Sequence, residues 1–486
     1  MQYEYAVLFM KKINDFMWEI GKDAQQGMNV PVRIYANEAL AANAGKDRTI
    51  RQAMNSASLP TIVKHMLLMP DMHEGYGFPV GGVAAFPADG GIISPGAIGF
   101  DINCGVRLIK TNITASDVKP RLSQLMDRLF KNVPSGVGSE IRLGFSQADL
   151  DRIATDGAGY IIEKGYGFKE DVDRIEESGC MAGADPSRVS GLAKKRGVKQ
   201  IGTLGAGNHF LEVQRVEKVF DEKVAKAFGL EEGQVVVMVH SGSRGYGHQI
   251  CSDYLRILTD YQRRNNIRLP DPELAYARIG DKESDDYLAC MRCAVNFAFT
   301  NRQVMTHLIR KSFEEVFGRG ADALGMELLY DVAHNIAKLE EHTVDGKRMK
   351  LYVHRKGATR AFGPGREEVP QIYRSVGQPV IIPGSMGTAS YVLAGREEAM
   401  LETFGSSCHG SGRLMSRHQA VRDIPVSKTL GDLKIKGVEF RVRDRQLMSE
   451  EAEWAYKSVD DVVASIAGAK ISNIVARLVP LGVAKG

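Results

Sequence analysis

The sequence predicts an α+β protein that folds as one large compact unit of 486 residues. Short runs of branched apolar residues predict strands, and longer runs with helical periodicity predict helices, but the two do not alternate in a regular βαβ order. No internal repeat, low-complexity tract or Pro/Ser-rich linker divides the chain. Because 44% of the residues are hydrophobic and 25% are charged, the chain can bury a sizeable core. A single domain over residues 1–486 is therefore the simplest organisation.

The predicted strands are short and bounded by turn residues: Val106–Ile113, Phe210–Val216, Val235–Val239, Leu351–Val353 and Pro379–Ile382. Apolar residues recur every three or four positions in the predicted helices: Ala115–Phe130, Val219–Phe228, His248–Asn265, Asp285–Phe317, Ala333–Glu341 and Glu450–Ile466. Glycine gathers in the segments between these elements.

Charge and composition narrow the class of protein. A formal net charge of +4 allows a polyanionic partner without requiring one, because nucleic-acid footprints are local patches. No run approaches the roughly 18 apolar residues of a membrane helix, and Met1–Lys12 lacks the charged start and cleavage site of a signal peptide. Cys290 and Cys293 form a single C-x-x-C inside a predicted helix, so both are expected to pack on a helix face. We expect a cytoplasmic protein that does not contact membranes.

Five glycine clumps adjoin short apolar runs. Glycine lets main-chain N–H groups approach a ligand closely, and phosphate is the usual ligand of such loops. Tight turns between strands are the alternative for any single clump, but five together favour phosphate binding. The clumps are G-Y-G-F-P-V-G-G at 75–82, G-T-L-G-A-G at 202–207, S-G-S-R-G-Y-G-H at 241–248, P-G-S-M-G-T at 383–388 and G-S-S-C-H-G-S-G at 405–412.

Side chains that bind metals stand at the ends of apolar runs. Imidazole, carboxylate and thiolate together suit a transition ion such as manganese, zinc or cobalt. A thiolate can bridge two ions, and two ions can stabilise both the attacking and the leaving oxygen of a phosphoryl transfer. For each histidine alone, a hydrogen-bonded core position is the alternative. The candidates are Asp101 and Cys104 in D-I-N-C-G, His209 after Asn208, His240 after Val235–Val239, and His334 after Leu328–Ala333.

His409, in C-H-G-S-G, is the best candidate for a nucleophile. A neutral imidazole can attack the α-phosphorus of a nucleotide and form a phosphoramidate, while Arg413, Arg417 and metal ions would offset the phosphate charge. A simple turn residue is the alternative. The chain contains neither G-x-x-x-x-G-K-[ST] nor the K-x-D-G of lysine-dependent ligases, so a nucleotide carried on lysine is not expected.

Eight motifs, in order, strongly resemble the RtcB family of RNA-splicing ligases from about residue 65 to Lys485. They are D-M-H-E-G-Y-G-F-P-V-G-G, G-F-D-I-N-C-G-V-R, G-N-H-F-L-E, H-S-G-S-R-G-Y-G-H, D-V-A-H-N, H-R-K-G-A-T-R, P-G-S-M-G-T-A-S-Y and C-H-G-S-G-R. The resemblance implies central β-sheets flanked by helices, with the active site in a deep cleft. It also implies a GTP- and manganese-dependent ligase that joins an RNA 3′-phosphate or 2′,3′-cyclic phosphate to a 5′-hydroxyl through a histidine–GMP intermediate, in tRNA splicing or RNA repair.

The same resemblance implies a pair of manganese ions. Asp101, Cys104 and His209 would hold one ion, and Cys104, His240 and His334 the other. Cys104 would then bridge the two.

The resemblance also implies the residues that bind the nucleotide. His409 would carry the GMP, and Tyr456 would flank the base, although packing suits Tyr456 nearly as well. Glu212 and Lys485 would read guanine, because a carboxylate accepts from N1–H and N2–H while an ammonium donates to O6. The whole set is Asn208, His209, Phe210, Leu211, Glu212, His334, Asn335, Pro383, Gly384, Ser385, Met386, Ser390, His409, Gly410, Ser411, Gly412, Tyr456 and Lys485.

The implied partner is RNA with broken ends, either tRNA halves or damaged RNA, and an archease activator is a further possibility. Candidates for RNA contact are His73, Arg244, Arg413 and Arg417. A structural role suits His73 equally well, and a solvated surface position suits Arg417. A metal-dependent phosphodiesterase or cyclic phosphatase would need the same ions but no covalent nucleotide. A non-catalytic RNA-repair scaffold is disfavoured, because the ligand set and the nucleophile are complete.

Overall fold

The structure, a computed structural model, describes residues 8–486, so the first seven residues of the Met1–Lys12 segment lie outside the described residues. Over this range the chain forms two large β-sheets flanked by helices, the α+β architecture that the sequence predicts. None of the helices between residues 8 and 486 is long and apolar enough to span a membrane.

Nineteen strands lie in the described part of the chain. They are β1 Lys11–Asn14, β2 Met17–Ile20, β3 Val32–Tyr35, β4 Met66–His73, β5 Val80–Pro87, β6 Ile92–Ile93, β7 Gly105–Thr114, β8 Phe210–Val219, β9 Gln234–Ser241, β10 Ala277–Arg278, β11 Leu328–Ala333, β12 Asn335–Val344, β13 Lys347–Lys356, β14 Ala358–Arg360, β15 Pro379–Ile382, β16 Ser390–Gly395, β17 Ser406–Cys408, β18 Glu439–Val442 and β19 Ser472–Lys485.

Fourteen α-helices accompany these strands among the described residues. They are α1 Glu38–Asn43, α2 Thr49–Ser56, α3 Ala115–Val118, α4 Leu122–Asn132, α5 Gln147–Glu163, α6 Gly191–Gly197, α7 Glu222–Phe228, α8 Arg244–Arg264, α9 Lys282–Phe317, α10 Glu397–Glu402, α11 Arg417–Asp423, α12 Val426–Ile435, α13 Leu447–Glu450 and α14 Val459–Gly468.

One sheet has seven strands in the order β1-β2-β3-β4-β5-β13-β12, and all neighbours are antiparallel except β3 and β4. The other has the order β11-β7-β9-β8-β19-β16-β15, with β18 pairing in parallel with β19. Its central strand β9 is apolar on both faces. Val235, Val237 and Val239 pack into the core cluster shared with α4, α5 and α9, whereas Val236 and Met238 pack into the cluster on the opposite face. This double burial explains the continuous apolar run in the sequence.

The five predicted strands are confirmed, because each lies within an observed strand. The predicted burial of Cys290 and Cys293 on a helix face is also confirmed, since both are fully buried on α9.

The predicted helix at Ala333–Glu341 is wrong. Ala333 ends β11, and β12 follows from Asn335, paired along its whole length with β13. In this segment residue type does not indicate which side chains are buried. Leu339 is 50% exposed, whereas Lys338 is buried and forms ion pairs with two glutamates. The strand conformation of this segment therefore depends on pairing with β13 and on two glutamates that are distant in sequence.

The other predicted helices are present with different bounds, and Ala115–Phe130 is divided into α3 and α4 at Lys119–Arg121, where Pro120 lies. Two more of them, Val219–Phe228 and Glu450–Ile466, show what sets the ends. In the first, the helix begins at Glu222 rather than Val219, because Asp221 caps it by accepting from the backbone N–H of Val224 at 3.0 Å. In the second, Glu450–Ile466, α13 ends at Glu450 and α14 begins only at Val459, after the Ser458 cap.

Candidate active site: a thiol–imidazole cluster beside His409

A cavity of about 260 Å³ lies where the two large sheets and the glycine loops meet. Cys104 enters it from the turn before β7, His240 from the end of β9, and His334 from the link between β11 and β12. His409 enters from the loop after β17. Residues more than 300 positions apart in the sequence therefore share one cavity.

The side-chain donor atoms of the first three residues and His209 form a tight cluster. Cys104 Sγ lies 3.3 Å from His209 Nε2 and 3.2 Å from His240 Nε2. His240 Nε2 lies 3.3 Å from His334 Nε2, and His209 Nε2 lies 2.9 Å from Asp101 Oδ2. Cys104, His209 and His240 lie close enough together that they could hold one metal ion, and sulfur with imidazole nitrogen suits a transition ion.

In His209 and His240, the hydrogen bond of Nδ1 determines which ring nitrogen is free to bind a metal. His209 Nδ1 lies 2.9 Å from the carbonyl oxygen of Leu204, and His240 Nδ1 lies 3.1 Å from that of Asn208. Because a carbonyl only accepts, each Nδ1 carries the proton and donates it. Each Nε2 then presents a lone pair toward Cys104, as metal ligation requires.

Burial dominates the electrostatics of the cluster. It lowers the pKa of both His240 and His334 well below the usual value, so both rings are neutral. Burial also raises the pKa of the Cys104 thiol, and the nearby Asp101 carboxylate raises it further. A cation bound here would lower the pKa of the Cys104 thiol and so stabilise the thiolate.

Glycine is required at two points around the cluster. A Cβ on Gly242 would lie 2.4 Å from Asp101 Oδ2, and one on Gly205 would lie 2.6 Å from His209 Nδ1. Gly205 also has φ +102°, a conformation that side chains disfavour. These loops can pass so close to the donor groups only because they carry no side chain there.

The polar face of the buried helix α9 holds these loops in place. Asn301 accepts from the backbone N–H of Gly202 at 2.7 Å and donates to the carbonyl of Gly242 at 3.1 Å. Arg302 donates to the carbonyls of Asn103 and Ser241, at 2.8 and 2.9 Å. Asn103 precedes Cys104, and Ser241 follows His240, so one helix fixes the backbone beside two residues of the cluster.

Asp71 orients His409, and sequence reasoning did not assign it a role. It is fully buried, and its Oδ2 lies 2.5 Å from His409 Nδ1 and accepts from the backbone N–H groups of His409 and Gly410 at 2.9 and 3.1 Å. Burial would raise the pKa of Asp71, but the charge and hydrogen bonds of His409 hold it below its usual value. An anionic carboxylate beside Nδ1 favours the proton on that nitrogen and leaves the lone pair on Nε2.

Two charged residues lie on neighbouring strands at the far end of the cavity, Lys485 on its wall and Glu212 buried behind the wall. Lys485 of β19 pairs with Phe210 of β8, and Val483 pairs with Glu212, so Lys485 and Glu212 lie on the same face of the sheet. The pairing register shifts between Pro480 and Gly482, which marks a bulge in β19.

Buried partners hold both of these charged groups. Gln214 donates to Glu212 Oε2 at 2.7 Å and to Ser390 Oγ at 3.0 Å. Burial raises the pKa of Glu212 to about 7, against the opposing effects of Gln214 and Lys485. Lys485 Nζ lies 3.2 Å from Glu451 Oε2.

Known proteins match this chain over nearly its whole length. The family model described as tRNA-splicing ligase RtcB matches residues 52–486. The chain belongs to the RtcB family. It is 55% identical to the tRNA-splicing ligase RtcB of Thermococcus kodakarensis and 55% identical to that of Archaeoglobus fulgidus, in each case over 98% of this chain and 99% of the relative. The tRNA-splicing ligase RtcB of Pyrobaculum aerophilum is 51% identical over the same shares.

Most of the residues that the RtcB resemblance implied do line the cavity. They are His73, Asp101, Cys104, Asn208, Phe210, His240, His334, Asn335, Pro383, Gly384, Ser385, His409, Gly410, Ser411, Gly412, Arg413, Arg417, Tyr456 and Lys485.

Several others of the implied residues do not line it. Leu211 is fully buried in one apolar core cluster and Met386 is buried in another. Glu212 and Ser390 are buried and linked through Gln214, and Ser390 Oγ accepts from the backbone N–H of Gly384 at 3.1 Å. These residues shape the cavity wall from behind.

An open groove of about 1070 Å³ adjoins the RtcB cavity and shares Asp101, Asn208 and Arg417 with it. His209 and Arg244 lie on its wall. It is lined by further basic side chains: Lys195, Arg196, Lys199 and Arg443. Acidic side chains line it too, Glu140 and Asp444 among them, so its positive excess is small and allows a polyanion without requiring one.

Proposed function

We propose that this RtcB family member is an RNA ligase that joins an RNA 3′-phosphate, or a 2′,3′-cyclic phosphate after it is opened, to a 5′-hydroxyl. His409 carries GMP during the reaction. The observation that carries the proposal is the shared cavity, in which a histidine oriented by Asp71 lies beside the donor cluster around Cys104. The whole chain, residues 1–486, is taken as one catalytic domain.

Two manganese ions fit the donor set. Asp101, Cys104 and His209 would hold one, and Cys104, His240 and His334 the other. His209 and His240 already present Nε2 lone pairs, because their Nδ1 atoms bond to backbone carbonyls. Bound there, the ions supply Lewis acidity that stabilises negative charge developing on phosphoryl oxygens.

His409 performs the first step. Its Nε2 attacks the α-phosphorus of GTP, the bond to the bridging oxygen of the β-phosphate breaks, and pyrophosphate leaves. The ring becomes cationic, and the buried carboxylate of Asp71 stabilises that charge through Nδ1–H.

RNA then receives the nucleotide. An oxygen of the RNA 3′-phosphate attacks the phosphorus carried by His409, the P–N bond breaks, and the RNA end now carries GMP. The 5′-hydroxyl of the second strand attacks the RNA phosphorus, loses its proton and displaces GMP, which leaves a 3′–5′ phosphodiester. Each attack is in line at phosphorus, so one set of charged side chains serves all three steps.

The far end of the cavity accounts for the choice of guanine. Lys485 on the cavity wall donates to O6 and Tyr456 flanks the base. Glu212 is buried behind the wall on the same face of the sheet as Lys485, so it must be uncovered to accept from N1–H and N2–H. Adenine offers neither hydrogen-bonding pattern.

The open groove accounts for RNA binding. Arg244, Arg413 and Arg417 contact phosphates of the broken ends, and His73 lies on the cavity wall where an RNA end would enter. The partners would be tRNA halves or damaged RNA, with an archease as activator. All six cysteines are unpaired, which fits a reducing cytoplasm.

The proposal is tested by incubating the protein with Mn²⁺ and α-labelled GTP. The expected result is a labelled protein that releases its label to RNA with a 3′-phosphate, together with complete loss of labelling in His409→Ala. A protein that takes up no label but opens 2′,3′-cyclic phosphates would instead be a phosphodiesterase. A protein that binds GTP and RNA and turns neither over would be a scaffold.

A further inference from the structure

Glu451 is a buried carboxylate on the wall of the nucleotide cavity, directly after α13. It is 1% exposed. Neither the glycine motifs nor the metal ligands include it, and it lies far from the thiol cluster in sequence. Such a position is costly for a carboxylate unless specific partners compensate for its burial.

Four polar groups from three segments converge on this carboxylate. Its Oε2 lies 2.5 Å from the Tyr456 hydroxyl, which donates to it, and 3.2 Å from Lys485 Nζ. Its Oε1 lies 3.2 Å from a guanidinium nitrogen of Arg413 and 3.8 Å from Nε of Arg417.

The charges make Glu451 a shared anion. Burial would raise its pKa, but Lys485 and Arg413 outweigh burial and hold the pKa below its usual value, so the group stays ionised. Arg413 also donates to the Tyr456 hydroxyl at 2.9 Å and stacks its guanidinium over the Tyr456 ring. Lys485, Arg413 and Arg417 thus share one counter-ion.

We propose that Glu451 is a positioning residue that fixes the ammonium of Lys485 toward guanine O6 and ties it to Arg413 and Arg417. The inference rests on the proposed function and deepens it. Lys485 has a long, flexible side chain, and a single fixed partner restricts the direction in which its ammonium points. Selectivity for O6 therefore depends on Glu451 as much as on the lysine itself.

The test separates positioning from folding by changing the base as well as the protein. Initial rates of guanylylation in Mn²⁺ are measured for GTP, for 6-thio-GTP, whose sulfur is a weak acceptor, and for ITP, which lacks the 2-amino group. The variants are Glu451→Gln, Glu451→Asp and Lys485→Met. Glu450→Gln is the matched control, because it removes the same charge one residue away, and melting temperature is recorded for each.

In Glu451→Gln we expect the KM for GTP to rise about tenfold, the effect of losing one charge-assisted hydrogen bond. The preference for GTP over 6-thio-GTP should nearly disappear, while the preference for GTP over ITP should persist because Glu212 is intact. Adding Glu451→Gln to Lys485→Met should change the KM no further. Glu450→Gln should behave as wild type.

Glu451→Asp keeps the charge on a shorter side chain and should show an intermediate preference, which also keeps the inference testable if the glutamine variant folds poorly. Equal losses with GTP, ITP and 6-thio-GTP in Glu451→Gln would mean a merely structural role and overturn the inference alone. Absence of labelling in the wild-type protein would overturn the proposed function, and the inference with it.

Discussion

The two ends of the cavity solve opposite electrostatic problems. At the Cys104 end, a thiol and three imidazoles place lone-pair atoms 3.2 to 3.3 Å from one another. At the Glu451 end, one carboxylate lies among two arginines, a lysine and a tyrosine hydroxyl. Both ends are buried. The proposed function therefore requires a cation to complete the first end, whereas the second end balances its own charges.

The largest expected effect comes from breaking the cluster. Cys104→Ala should lower guanylylation by at least about 10,000-fold, because groups that act as a unit fail together. Its metal-free stability should remain within about 1 kcal/mol of wild type, since a small buried side chain is lost and no ion pair is broken. Guanylylation rates and urea unfolding curves measure the two quantities.

Manganese titration supplies the control for that variant. Millimolar Mn²⁺ should raise the melting temperature of the wild type by several degrees, because an ion bound only by the folded state stabilises it. It should leave Cys104→Ala unchanged. An equal rise in both proteins would place the ion elsewhere.

The second effect concerns Asp71, whose carboxylate lies beside the ring of His409. Asp71→Asn should lower guanylylation by about 1000-fold, because an amide cannot stabilise a cationic imidazole and can favour the wrong tautomer. The loss should lie in kcat rather than in the KM for GTP. A tenfold or smaller loss would mean that Asp71 only packs against His409.

A third, smaller effect is expected at Glu212, in the pH dependence of the KM for GTP. Because burial raises the pKa of Glu212 to about 7, its carboxylate forms mainly above that pH, so the KM for GTP should fall between pH 6 and 8. Glu212→Gln should show a KM about tenfold higher and no such fall.

The same pKa fixes the sign of a stability change in the ligand-free protein. A raised pKa means that the folded state binds the proton more tightly than the unfolded chain. The Glu212 contribution is therefore present at low pH and lost as pH rises through about 7. Urea unfolding of wild type and Glu212→Gln across pH 5 to 8 checks it, and a stability difference that grew with pH in favour of the wild type would contradict it.

The smallest effect is expected at the rim. Arg417 is half exposed, with 51% of its side chain accessible, and it lies 3.8 Å from Glu451. Arg417→Gln should weaken RNA binding about threefold and leave guanylylation in the absence of RNA unchanged. Titration of a labelled RNA 3′-phosphate at two salt concentrations measures it, and a loss of guanylylation would move Arg417 into the nucleotide site.

The central strands and the metal-binding residue types were predictable because they depend on local pattern. Val235–Val239 is apolar on both faces of the sheet, and His240 follows directly. Asp71 carries no such signal, although it opens the first of the eight motifs. It follows Pro70 inside β4, and only the fold brings its carboxylate to His409, 338 residues away.

The burial of Glu451 and the strand β12 could not be predicted from the local sequence, for a related reason. Glu451 reads as one of several acidic residues near a helix end, and its burial depends on Lys485 and Arg413, which arrive from other segments. The strand at Lys338 depends on pairing with β13 and on two distant glutamates. In both cases the partners that decide the outcome are remote in sequence.

The bulge between Pro480 and Gly482 makes β19 more sensitive to insertion and deletion than to substitution. Exchanging Val483 for another branched residue keeps every later side chain on its own face of the sheet. Removing one residue between Leu481 and Lys485 would shift the pairing by one and turn the side-chain ammonium of Lys485 toward the opposite face of the sheet. In this strand, spacing is constrained more tightly than residue identity.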